Sequence, residues 1–156
     1  MADSLHMQIL EAVYEAIIAL DLEDIAFENI RILKENKRQE RLEIGTPGIG
    51  IMHSGESEIY DGQGSTNIYE EIGYPVLLVI FDLDRKDGEP GQTYWHDKRL
   101  YWRQQLVATF LNQSLMDGVC RCTMESRPIM LPAEWKERSV WVSPLLFRFW
   151  GRVARL

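Results

Sequence analysis

The chain has 156 residues, 46% apolar and 26% charged, a balance that fits one folded domain (residues 1–156) and excludes wholesale disorder. A net charge of −7 argues against generic binding to a phosphate backbone. The longest apolar run, Val76 to Phe81, falls far short of the roughly 20 residues a membrane span needs. Asp3 and His6, followed by Glu11 and Glu15, do not resemble a secretory leader, so a protein made and kept inside the cell, without a membrane partner, is expected.

The charge is unevenly distributed. Residues 1–90 carry 19 acidic and 7 basic side chains, and residues 91–156 carry 5 acidic and 10 basic ones. Two readings fit this asymmetry. Either the two halves face each other inside one fold, or the protomer presents an acidic and a basic flank suited to head-to-tail association.

Asp3 or Ser4 can cap a first helix whose apolar stripe is Leu5, Ile9, Ala12, Val13, Ala16, Ile17 and Leu20, with Glu11 and Glu15 on the other face. Asn29–Lys34 reads as a short strand, and the charged stretch 36–43 as a connector. The turn Gly45-Thr46-Pro47-Gly48 opens a strand ending near His53. Ser54–Asn67, polar and glycine-containing, is expected to be a long loop. The run within 68–84 predicts a strand buried on both faces. Another Gly/Pro loop, Asp82–Thr93, precedes a second helix over about 97–116. Leu100, Val107, Phe110 and Leu111 form its stripe, widened by Trp102, Leu106 and Leu115, and Gly118 is its natural cap.

Val119–Leu131 reads as a strand entering a proline turn. The last strand, Val140–Val153, alternates Trp141, Leu145, Phe147 and Phe149 against Val142, Leu146, Arg148 and Trp150. Pro144 in that strand predicts an edge position or a bulge. Helices beside a mostly antiparallel sheet make an α+β fold, with two main helices packed on one face.

Chemistry-bearing motifs are weak. Cys120 and Cys122 fit small apolar residues of a reducing compartment, and His6, His53 and His96 lack the spacing of a zinc set. Asp82, Asp84, Asp87 and Gly88 approach a calcium loop, but the third acid is one residue late and the twelfth position is Thr93. Gly45, Gly48 and Gly50 open a strand rather than a helix, unlike a phosphate loop. His53-Ser54 and His96-Asp97 are sequence neighbours, a poor arrangement for a triad, and adjacent Glu70 and Glu71 point to opposite faces of a strand. No catalytic residue, cofactor or metal is expected.

Element order is more informative. An amphipathic helix, a strand, a Pro-Gly turn with Gly48-Ile49-Gly50-Ile51-Met52, a long polar loop, Ile72-Gly73-Tyr74-Pro75-Val76-Leu77-Leu78-Val79, a helix carrying Trp102-Arg103-Gln104-Gln105 and two closing strands follow one another. The whole resembles the tail-terminator (tail-completion) and related neck proteins of tailed bacteriophages. That resemblance implies a structural virion protein made in the host cytoplasm, forming a homo-oligomeric and commonly hexameric ring. Such a ring caps the tail tube, meets the head-side connector and lets DNA pass through its lumen.

Arg148, Arg152 and Trp150 are the expected subunit contacts, the two arginines pairing with acids of the first half. Glu56, Glu58, Asp61, Asp84 and Asp87 are the expected partner-contacting loop residues. Alternatives are another neck or minor tail component such as a head-closure protein, a non-viral cytosolic adaptor, and a small-molecule hydrolase using His53 or His96.

Overall fold

The computed structural model describes residues 4–33, 46–53, 59–61, 69–83, 94–117, 119–125, 127–132, 134 and 140–154. The order is α1 (Leu5–Leu20), β1 (Ile30–Ile32), β2 (Gly48–His53), β3 (Ile59–Asp61), β4 (Tyr69–Leu83), α2 (Tyr94–Phe110), β5 (Val119–Glu125) and β6 (Val140–Ala154). The strands form one mixed sheet in the order β1-β2-β4-β6-β5, with β3 also paired to β4. Only β1–β2 is parallel among these pairs. The fold is therefore α+β, as the alternation of patterns predicts. A strand inside the expected loop 54–67, β3, is the addition.

Ser4 caps α1 as expected, its Oγ accepting the Met7 N–H at 3.1 Å. Asp21 ends the helix in the left-handed region (φ 47°), its N–H donating to the Ile18 carbonyl. Ile9, Leu10, Val13 and Ile17 face the sheet while Glu11 and Glu15 stay exposed.

β4 and β6 pair over their whole fifteen-residue lengths, from Tyr69 opposite Ala154 to Leu83 opposite Val140. Alternation divides their side chains. Val76, Leu78, Ile80, Leu145, Phe147 and Phe149 join the core beneath the helices. Val79, Phe81 and Val142 form a second buried cluster with Leu33 and Met52. Each fully buried Leu, Ile or Phe contributes about 1.5–3 kcal/mol. Gly50 serves the second cluster, because a Cβ there would sit 2.9 Å from Leu33 Cδ1 and 3.2 Å from Phe81 Cε2.

Both long strands carry a proline, which cannot donate to a ladder. Pro144 lies beyond the last β5–β6 pair, Glu125 opposite Leu146, so no strand flanks it on that side among the described residues. This is the edge position expected. Its carbonyl accepts Arg103 Nη1 at 2.8 Å, and the neighbouring Val142 carbonyl accepts the Leu131 N–H at 2.9 Å. Pro75 falls between the end of β2, His53 opposite Val76, and the β3 pair Ile59 opposite Gly73. Its carbonyl accepts His6 Nε2–H at 3.0 Å.

The second helix departs from expectation at both ends and in its buried face. It starts at Tyr94 and stops at Phe110 rather than running to Met116. Asn112 takes φ 62° and its N–H donates to the Cys122 carbonyl at 3.0 Å, so the chain leaves the helix well before Gly118. The buried positions are Arg99, Trp102, Leu106 and Phe110, with Leu100, Val107 and Leu111 only half-buried. The expected stripe narrows to Trp102, Leu106 and Phe110, and buried Arg99 with half-buried Arg103 shares its face.

Arg99 Nε binds Asp82 Oδ2 at 2.9 Å and Nη2 binds the Leu83 carbonyl at 2.6 Å. Asp82 is thus part of β4 and wholly buried rather than a loop residue. Arg103 joins Ser143 Oγ at 2.7 Å to the Pro144 and Arg127 carbonyls, and burial pushes its pKa down. Trp102 Nε1–H donates to the Glu23 carbonyl, and Lys98 pairs with Glu23 and Asp24.

Removing one partner of the Asp82–Arg99 pair should be costly. Asp82→Ala is expected to lose about 3–5 kcal/mol, because a buried guanidinium loses its counter-charge. Asp82→Leu combined with Arg99→Met should recover most of that loss. Urea unfolding of the three proteins reads both outcomes.

Candidate functional site

β5 is an outer strand of the sheet and carries the most concentrated polar and aromatic surface that the described residues form around the expected contact residues. A register shift between Val119 and Arg121 re-phases the strand. Val119 lies opposite Gly151 and Cys122 opposite Phe149, so both face the core although three residues apart. Without that bulge they would lie on opposite faces. Arg121, Thr123 and Glu125 consequently lie on the face turned away from the helices, opposite Trp150, Arg148 and Leu146.

There they interlock. The Arg121 guanidinium lies 4.5 Å from the centroid of a Trp150 ring, and Trp150 Nε1–H donates to Thr123 Oγ1 at 2.9 Å. The indole rests over Gly73 of β4, where a Cβ would come within 3.0 Å of the ring. Arg148 Nε binds Glu125 Oε1 at 2.5 Å, and Arg127 Nη2 lies 3.5 Å from Glu125 Oε2. Two guanidinium groups therefore share one carboxylate, while that of Arg121 lies over the indole. Met124, opposite Phe147 on the helix-facing side, and Ile129, just beyond the strand, are exposed.

The expected contact residues have separate fates. Trp150 is buried to 8% exposure, between Arg121 and Gly73. Arg148 is 5% exposed and pairs with Glu125 of the same chain. A buried cation of this kind is stable only with a near carboxylate. Arg152 lies opposite Glu71 in the β4–β6 register. Asp61 ends β3, opposite Glu71 on β4. Glu56, Glu58, Asp84 and Asp87 lie outside the described residues.

A second cluster gathers residues far apart in sequence. His6 of α1 meets Tyr74 with ring centroids 5.3 Å apart and His53 at 6.0 Å, edge to face. These two histidines are 47 positions apart, and nothing in their spacing announces the contact. His96 and Asp97 are exposed on α2, distant in kind from any such grouping. Among the described residues no set of three or more His, Cys, Asp or Glu side chains is close enough to hold a metal ion. Nor is any described helix long and apolar enough to cross a membrane.

Compared with known proteins, the chain matches no family model and no curated protein sequence.

Two expectations follow from the β5 edge. Arg148→Glu should destabilise the fold by about 2 kcal/mol or more, since it sets two carboxylates together at a partly screened position. Arg148→Met with Glu125→Met should restore the urea midpoint. For Cys122, burial pushes the thiol from an ordinary 9.0 up to about 12. It remains protonated in the fold at pH 8.5, so mass mapping should find it alkylated by iodoacetamide only after unfolding. Because its folded pKa is raised, the stability tied to this thiol is intact below about pH 9 and is lost as pH rises towards 12.

Proposed function

We propose that this protein is a structural assembly component of a tailed-phage particle, a tail terminator or closely related neck protein that works as a homo-oligomeric ring. Its partners would be further copies of itself, the tail tube protein below and the head-side connector above, with DNA passing through the lumen. It acts by shape and contact, and no covalent step is assigned to it.

The supporting observation is what becomes of the segment on which the resemblance rests. Gly73 admits the Trp150 ring, Tyr74 packs on His6, and Pro75 occupies the break between β2 and β3. Each residue of Gly-Tyr-Pro thus holds the central strand to a neighbouring element, which is an architectural duty. The uneven charge and the aromatic β5 edge fit the same reading, because ring subunits need two unlike contact surfaces.

Light scattering on the purified protein, with negative-stain imaging of the same sample, provides the test. A mass several times the 18.2 kDa of one chain, with annular particles, is the expected result. A chain that is monomeric alone and does not bind completed tail tubes overturns the proposal.

A further inference from the structure

Two corners of the sheet carry opposite charge. The first is the junction from α1 to β1. Within it Asp21, Glu23, Asp24 and Glu28 outnumber Arg31. The Glu23 side chain is 77% exposed although Lys98 reaches it at 3.3 Å, and Asp21 and Glu28 are exposed as well. Residues Asp21 to Ala26 line a shallow depression, and Phe27 beside it is 51% exposed.

The second corner is the β5 edge. Arg121 lies over Trp150 there, Arg127 and Arg148 share Glu125, and Ile129 is 55% exposed. The register places these corners diagonally. Arg121 lies opposite Trp150, which lies opposite Gly73, whereas Ile30 lies opposite Ile49 and through it Ile80. Seven residues along β4 and four strand spacings across the sheet separate them by roughly 30 Å.

We infer that the β5 corner of one protomer docks on the acidic α1–β1 corner of the next copy of this chain. This rests on the ring reading above and names its contact surfaces. The two corners are complementary: the guanidinium groups of Arg121 and Arg127, with exposed Ile129, meet carboxylates beside Phe27. Each patch thus joins an apolar contact, the main driving force of association, to charges that set its register. Because the two patches differ and lie at opposite corners, the contact is head-to-tail. Such a contact uses both patches of every copy and closes into a ring where the rotation between neighbours allows.

The experiment compares four full-length proteins by light scattering at low salt, each checked for an unchanged far-UV circular dichroism spectrum. They are the wild type, Arg121→Glu with Arg127→Glu, Glu23→Lys with Glu28→Lys, and all four substitutions together. A second basic-corner variant, Ile129→Ser, replaces the first should that one fail to fold. The expected result is an oligomer for the wild type, a mass near one chain for each single-corner variant, and recovery in the fourfold variant. Raising the salt to about 1 M, where screening acts within about 3 Å, should lower the wild-type mass.

Oligomers that persist in both single-corner variants overturn the surface assignment while the ring reading stands. Loss in both without recovery in the fourfold variant overturns the pairing of these two corners. A wild type that is monomeric, alone and with tail tubes, overturns the ring reading and this contact together.

Discussion

Pairing β4 with β6 along fifteen residues gives the sheet its axis, and the prolines within that pair dictate where the neighbours must stop. A strand flanked on both sides must donate to both, and neither Pro75 nor Pro144 can. The sheet accommodates each by interrupting the adjoining strand at that point. β2 gives way to β3 beside Pro75, and β5 ends before Pro144. The carbonyls left without a strand partner are then taken by helix side chains, His6 from α1 and Arg103 from α2. Helix position is thereby tied to the same two residues that shape the sheet, and an unmet buried carbonyl would otherwise cost about 1–3 kcal/mol.

The two helices meet the sheet by different means. α1 uses an apolar stripe, a non-directional contact that tolerates sliding. α2 brings Arg99 and Arg103 to its inner face as well as Trp102, Leu106 and Phe110. Guanidinium forks bound to Asp82, to Ser143 and to three backbone carbonyls permit one placement only, since a shift would strand buried charge. Phe110 then closes the far end by packing edge-on against Phe147 and Phe149. Stability comes chiefly from the apolar layer, and the register of α2 from the polar one.

This division explains what could be read in advance. The stripe of α1, the two-faced burial of Val76 to Phe81 and the edge position of Pro144 are local patterns, and they hold. α2 was open to misreading because Leu111 and Leu115 continue an apolar period, while the turn is made by Asn112 through a bond to β5, a partner ten residues away. β3 is three residues long and depends wholly on β4 for its form. Trp150 and Arg148 were singled out for their unusual position on a strand, but their partners, Thr123 and Glu125, are set by a bulge that pattern alone does not reveal. The meeting of His6 with His53 likewise exists only in the folded chain.

Charge is where sequence and structure have to be weighed together. The acidic first half and basic second half do face each other in part: Lys98 reaches Glu23 and Asp24, and Arg99 is bound to Asp82. Arg103 and Arg148 are also engaged within the protomer. The positive excess of residues 91–156 therefore overstates what neighbouring molecules meet. Among the described residues, the exposed charges include Arg121 at one corner of the sheet and Asp21, Glu23 and Glu28 at the other. Opposite charge at distant corners makes contact between unlike corners of two copies more favourable than contact between like ones, because only the former brings carboxylate to guanidinium.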